Sequence, residues 1–350
     1  MTRSGQAALT GGANSVGTVE QRGRAQPRLR SRAERFLKMR ETGLIVILLA
    51  LVIAMSLASP HFLTWENMEA MAMAFAVDGI VVVGMTVLLI SGGIDLSVGS
   101  VTALAMVVAG WLFLQGVDPW LASGVAVLVS VAVGAAMGFL VTKVGLHHFV
   151  VTLAVLVIAR GLCLLFTGGR PLGLYDLPAS FKFIGQGTVG PIPIVILIFV
   201  LVVVAFDFML RRTTAFRKVF YTGSNEKAAA YSGIRTKRVI FLTTTLCSAL
   251  CGIAGIIYLA RFGSAQPTFG IGMELSVIAA AVIGGASLSG GSGTILGATL
   301  GTILLSVVSS SLVLLDVSVY WQEVVRGSIL LAALLIDHYL TRRRSTGRSA

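Results

Sequence analysis

The sequence predicts an all-α polytopic membrane protein of about ten transmembrane helices, with two Gly/Ser-rich helix breaks. Three observations carry that reading. Of 350 residues, 56% are hydrophobic and 12% charged, and mean hydropathy is +0.91. Runs of roughly 20 apolar residues recur, the length that crosses ~30 Å of hydrocarbon. Finally, Ser91-Gly-Gly-Ile-Asp-Leu-Ser-Val-Gly-Ser100 interrupts apolar sequence and returns in altered form further on: Gly92 to Ser100 match Gly284 to Ser292 at six of nine positions. A Gly/Ser break between apolar runs reads as a discontinuous or sharply turned helix pair lining a polar path. The ~10-residue alternating segments of a membrane β-barrel are absent.

In chain order, residues 1–41 are polar and basic and read as a disordered cytoplasmic tail. The membrane domain is expected over 42–340, followed by a short basic tail over 341–350. Its first run, Gly43–Leu57, resembles a secretory signal, but a 41-residue polar leader is too long for that role. Further spans are expected near Met71–Ile90, Val98–Leu114, Trp120–Thr142, Phe149–Thr167, Ile192–Leu210, Val239–Ala260, Leu275–Gly284, Thr294–Leu315 and Val324–Tyr339. Of 27 Lys and Arg, nine fall in 1–41, eight in 211–238 and four in 342–348. Ten spans place all three clusters on one side, in accord with the positive-inside rule, with both termini cytoplasmic. A count of nine or eleven breaks that agreement. The +12 net charge is therefore an orientation signal and not a nucleic-acid patch.

The basic loop over 211–238 contains a short helix with its punctuation written in, Gly223 to Ile234. Ser224 or Asn225 suits its N-cap, Glu226 its first turn, Ala228 and Ala229 its body, and Gly233, after Ser232, its C′ position. Two turns do not hold themselves in water, so this helix has to dock, on its own membrane face or on a partner. Gly168–Pro191, dense in Gly and Pro, is the longest loop on the opposite side and either a plain connection or a docking surface.

Ionisable residues inside spans cost ~2.5–3.5 kcal/mol each on the insertion scale, so Asp78, Asp95, Arg160, Glu274 and Arg326 each need a reason. Asp95 or Ser97 is placed to cap the helix that follows the first break. The candidates for a polar translocation path are Gly92, Gly93, Asp95, Ser97, Gly99, Arg160, Glu274, Gly284, Gly285 and Ser287. No phosphate-binding G-x-x-x-x-G-K-[ST] loop occurs, nor a metal-ligand spacing or nucleophile elbow. No cofactor or metal is expected, and enzymatic chemistry is not. The three cysteines, Cys163, Cys247 and Cys251, lie in apolar runs and read as small residues at close helix contacts.

Gly92-Gly93-Ile94-Asp95-Leu96-Ser97-Val98-Gly99, the loop pattern Gly223-x-Asn225-x-x-Ala228-Ala229-x-x-Ser232-Gly233-Ile234, and Glu274-Leu275-x-x-Ile278-Ala279-Ala280 resemble the permeases of bacterial ABC sugar importers. Ile283 to Gly293 and Tyr320-Trp321-Gln322 extend the likeness, which runs in order from about residue 43 to 337. The branch is the ribose type, related to the branched-chain amino acid permeases. Ala286 and Ser289 depart from its commonest form. The resemblance implies a permease in the bacterial cytoplasmic membrane that passes a monosaccharide or similar polar solute by alternating access. It also implies separate ATPase subunits, a periplasmic sugar-binding protein and a second permease in a homo- or heterodimer. Gly223, Asn225, Glu226, Ala228, Ala229, Ser232, Gly233 and Ile234 would then form the helix that couples to the ATPase. A self-sufficient secondary transporter or channel is the alternative, and the few intramembrane carboxylates available for ion coupling weigh against it.

Overall fold

The structure, a computed structural model, describes residues 40–346. Apart from Arg40 and Glu41, the predicted tail over 1–41 lies outside the described residues, as do the last four residues of the chain. Helix α1 (Arg40–Ala58) takes in the last two residues of that expected tail. It is followed by α2 (Trp65–Ile90), α3 (Val98–Leu114), α4 (Pro119–Phe139, extended by a π-turn to Val144) and α5 (His148–Thr167). Then come α6 (Ala179–Gln186), α7 (Ile194–Arg212), α8 (Thr214–Ser224), α9 (Glu226–Tyr231) and α10 (Thr236–Phe262). Helices α11 (Met273–Ile283), α12 (Ile295–Leu314) and α13 (Val319–Thr346) complete the described chain. Helix α13 therefore carries on through six residues expected to belong to the C-terminal tail.

Among the described residues, six helices are long and apolar enough to cross a membrane: α2, α4 with its π-turn, α5, α7, α10 and α12. Three shorter apolar helices cover Thr42–Ala58, Val98–Leu114 and Met273–Ile283. At 11 residues, α11 rises only roughly 16 Å, about half of the hydrocarbon thickness.

Helix α10 is the hub of the packing, in contact with α2, α3 and α4. Small residues permit the close approach. A Cβ added to Gly134 of α4 would lie 2.6 Å from Ser248 Cβ, and one on Gly84 of α2 would lie 3.0 Å from Cys247 Cα. All three cysteines are buried, as close-packed small residues should be. Helix α2 is central, with 78% of its most apolar window buried, whereas α5 and α7 reach 22% and present apolar side chains outward. Those outward faces include Leu153, Val157, Leu201 and Val204, the surface expected of lipid-facing helices.

The segment 168–193 is ordered on the end of α10. Strand β1 (Leu172–Gly173) pairs antiparallel with β4 (Ser264–Ala265), and β2 (Thr188–Val189) with β3 (Ile192–Pro193). Phe181 of α6 is buried, and Gln186 Nε2 donates to the carbonyls of Ala260 and Arg261.

Candidate functional site

The first break, Ser91 to Ser97, is a folded connection. Ser91 N donates to the Val87 and Leu88 carbonyls, closing α2, and Ser91 Oγ lies 3.0 Å from Thr243 Oγ1 on α10. Gly92 then takes φ +90°, which glycine adopts without the Cβ clash that other residues meet. At Gly93 φ is not positive, and an added Cβ there would press on the Leu88 side chain, 2.7 Å away. Asp95 is fully buried, and its Oδ1 accepts from Ser97 N at 2.7 Å and from Ser97 Oγ at 2.6 Å. These bonds turn the backbone into α3 without capping it: neither Asp95 nor Ser97 gives α3 a side-chain cap, contrary to expectation. The Ser97 hydroxyl turns back to donate to Asp95. Asp95 Oδ2 is buried with no hydrogen-bond partner among the described residues.

His148, absent from the sequence-based candidates, holds the same turn. Its Nδ1 donates to the Ile94 carbonyl at 2.6 Å, the only role open opposite a carbonyl, and its Nε2 lies 3.0 Å from Thr244 Oγ1. Gly99, the second residue of α3, abuts Gly270 and the Glu274 carboxylate so closely that a Cβ would overlap the Gly270 carbonyl. The segment before α11 thus reaches in to the start of α3.

The second break separates α11 from α12. Gly284 packs against Gly297 with no room for a side chain, and Gly285 takes φ +96°. Ser287 N donates to Ser292 O, and Ser287 Oγ accepts from Ser289 N, so the break is a closed loop. Thr294 accepts from Gly297 N at 3.0 Å and caps α12.

These two breaks meet. Gly291 N donates to the Ile90 carbonyl at 2.9 Å, tying the end of α2 to the second break. Gly223, at the end of α8, sits in the same junction. An added Cβ there would overlap the Ile90 carbonyl oxygen and lie 2.7 Å from Gly291 N. Gly92 and Gly290 face Gly223 as well. Three stretches far apart in sequence, each meeting at a glycine or beside one, therefore form one backbone joint. Directly after it, Asn225 accepts from Ala228 N at 3.0 Å and caps α9. Gly233, φ +84°, closes α9, and Ile234 N donates back to Ala229 O. Of the eight coupling candidates Ala229 is buried, Gly223 and Ile234 are half-buried, and Asn225, Glu226, Ala228, Ser232 and Gly233 are exposed. Tyr231 is 92% exposed. Helix α9 thus presents most of its surface outward while its start is anchored at the joint.

A cavity of about 390 Å³ lies among α2, α10, α11, α12, α13 and the 269–272 segment. Asp78, Tyr258, Phe75 and Phe269 line it, with Glu323 and Arg326, which pair at 2.9 Å. None of the ten translocation-path candidates lines this cavity. Arg160 instead acts beside it: its Nη1 donates to the Pro267 and Phe269 carbonyls, at 2.6 and 2.8 Å. Among the described residues no group of three or more His, Cys, Asp or Glu is placed to hold a metal.

Comparison with known proteins decides the family. Residues 67–334 match the family described as branched-chain amino acid transport system, permease component. The chain belongs to this family. Among curated relatives, the ribose import permease protein RbsC of Escherichia coli (strain K12) is 36% identical over 296 residues, covering 84% of this chain and 92% of the relative. RbsC of Bacillus subtilis (strain 168) is 38% identical over 299 residues, covering 85% and 93%. The L-arabinose transport system permease protein AraH of Escherichia coli (strain K12) is 37% identical over 307 residues, covering 87% and 92%. No solved structure gives a significant match. The family is one of permease components, in accord with the six helices among the described residues that are long and apolar enough to cross a membrane.

Proposed function

We propose that this chain is the permease subunit of an ATP-driven importer that carries a monosaccharide across the bacterial cytoplasmic membrane by alternating access. The observation that carries this reading is the set of sugar permeases it matches over more than nine-tenths of their length. In this reading it crosses the membrane ten times, with α1, α3, α11 and α13 joining the six long apolar helices and both termini cytoplasmic. It works as a homo- or heterodimer with two ATPase subunits and a periplasmic binding protein. The breaks bear the conformational change, and α9 is the element that meets the ATPase.

The joint at Gly223 supports the coupling role. A push on α9 reaches Ile90 and Gly291 through backbone atoms alone, with no flexible side chain between to absorb it. Packed backbone contacts of this kind shift between discrete arrangements and do not deform smoothly. Proteoliposomes test the function. Uptake of labelled D-ribose, L-arabinose or D-allose is expected only when the chain, its ATPase, its binding protein and internal ATP are all present. Uptake by the chain alone under a proton or sodium gradient would overturn the importer reading in favour of a secondary transporter.

A further inference from the structure

Asp78 lies mid-way along α2, where a carboxylate is costly. Tyr258 Oη donates to its Oδ1 at 2.6 Å, and among the described residues it has no ion-pair partner. Tyr258 is itself buried, and its ring meets Phe269 at 4.3 Å between centroids, tilted by 55°. Phe269 is held there by Arg160, whose guanidinium grips the carbonyl of Phe269 itself and that of Pro267. A polar pair and the Phe269 ring are thus fixed together at the wall of the 390 Å³ cavity, a volume at the lower end of small-molecule sites.

We infer that Asp78, Tyr258 and Phe269 form a subsite for a neutral polyhydroxylated ring, a sugar, inside the membrane domain. The chemistry selects that class. A carboxylate only accepts hydrogen bonds, so its ligand must bring donors, and two adjacent hydroxyls bring them without charge. An anion would be repelled by Asp78 in a medium of low dielectric. A zwitterionic amino acid would need a free cation for its carboxylate, and Arg326, the cation in the wall, is already paired with Glu323. The C–H face of a sugar ring packs on an aromatic plane, and half-buried Phe269 offers one at the cavity wall, whereas Tyr258, stacked on Phe262, contributes its hydroxyl. Arg160 is a positioning residue in this account, because it acts through the backbone that carries Phe269.

The subsite rests on the importer reading, and one assay separates the two. Proteoliposomes holding the full complex are tested with D-ribose, L-arabinose and D-allose, then with singly deoxygenated analogues of the sugar carried best. Each variant is scored by the uptake ratio of parent sugar to analogue, relative to wild type. The shared binding protein cancels in that comparison. Asp78→Asn keeps the side-chain volume and is expected to lower the ratio about ten-fold for the analogue lacking the contacted hydroxyl, the effect of losing one charge-assisted hydrogen bond. A purely structural defect slows both sugars together and leaves the ratio unchanged. Tyr258→Phe is expected to shift the ratio in the same sense, and it decides the matter with Phe269→Leu if Asp78→Asn fails to insert. Unchanged ratios in the inserted variants, with wild-type uptake intact, overturn the subsite and leave the importer standing. Absence of ATP-driven uptake of all three sugars by wild type overturns the importer reading, and the subsite falls with it.

Discussion

Single residues set the backbone geometry here, through glycine conformation and through charge aimed at carbonyls. Gly285 sits at φ +96° in the second break, a conformation that is a genuine outlier for a β-branched residue. Gly285→Val is expected to impose strain on the order of 1–3 kcal/mol, abolishing uptake while the chain still inserts. Near-normal uptake at normal expression would show that the glycine merely lightens the loop. Arg160 offers the opposite experiment. Each hydrogen bond to a charged group contributes about 1.5–3 kcal/mol, and Arg160 makes two, to Pro267 and Phe269. Arg160→Met should therefore lower the thermal midpoint in detergent clearly, with Arg160→Lys falling between. A midpoint unchanged in both would mean that the 267–269 segment is held by other contacts.

At the scale of elements, α9 is the part that the sequence specified most completely. Its cap at Asn225 and its left-handed stop at Gly233 are local features, decided by side chains within three residues of the backbone they serve. A partner in its groove would tolerate added bulk poorly, with overpacking typically costing ~1–3 kcal/mol. Ala228 is exposed on the outward face, whereas Ala229 is buried against this chain itself, and Gly233 N donates to Ala230 O at positive φ, which proline can neither make nor adopt. Ala228→Trp and Gly233→Pro are expected to leave the membrane domain folded and weaken co-purification of the ATPase. Full retention of the ATPase by both variants would return α9 to a plain surface helix. What the sequence did not disclose was where the elements go. Gly223 was legible as a helix boundary, but its burial against Ile90 and Gly291 joins positions more than sixty residues apart. No local signal encodes such a contact. Asp78 stood out as an intramembrane charge, yet Tyr258, 180 residues later, looked like any aromatic in an apolar run. His148 was missed because one histidine at a span edge carries no pattern. The capping role expected of Asp95 failed for a local reason: Asp95 lies two residues before the N-cap position, Ser97, and its Oδ1 serves an Asx-type turn to Ser97 N instead.

On the scale of the whole molecule, the proposed ten-span topology would put Ser180 and Lys227, both exposed, on opposite faces of the membrane. Cysteines at these positions, probed on intact cells with an impermeant thiol reagent, should label at Ser180 only. Labelling at Lys227 alone would invert the orientation. The larger claim is that an ATPase acting on α9 moves the two helix breaks through the backbone joint at Gly223. The most direct measurement is stimulated ATP hydrolysis by the reconstituted complex carrying Gly223→Ala, where a single methyl group meets the Ile90 carbonyl and Gly291 N. The account predicts that this complex assembles with its ATPase at the normal subunit ratio but no longer responds to sugar-loaded binding protein. Full stimulation with normal uptake would contradict it.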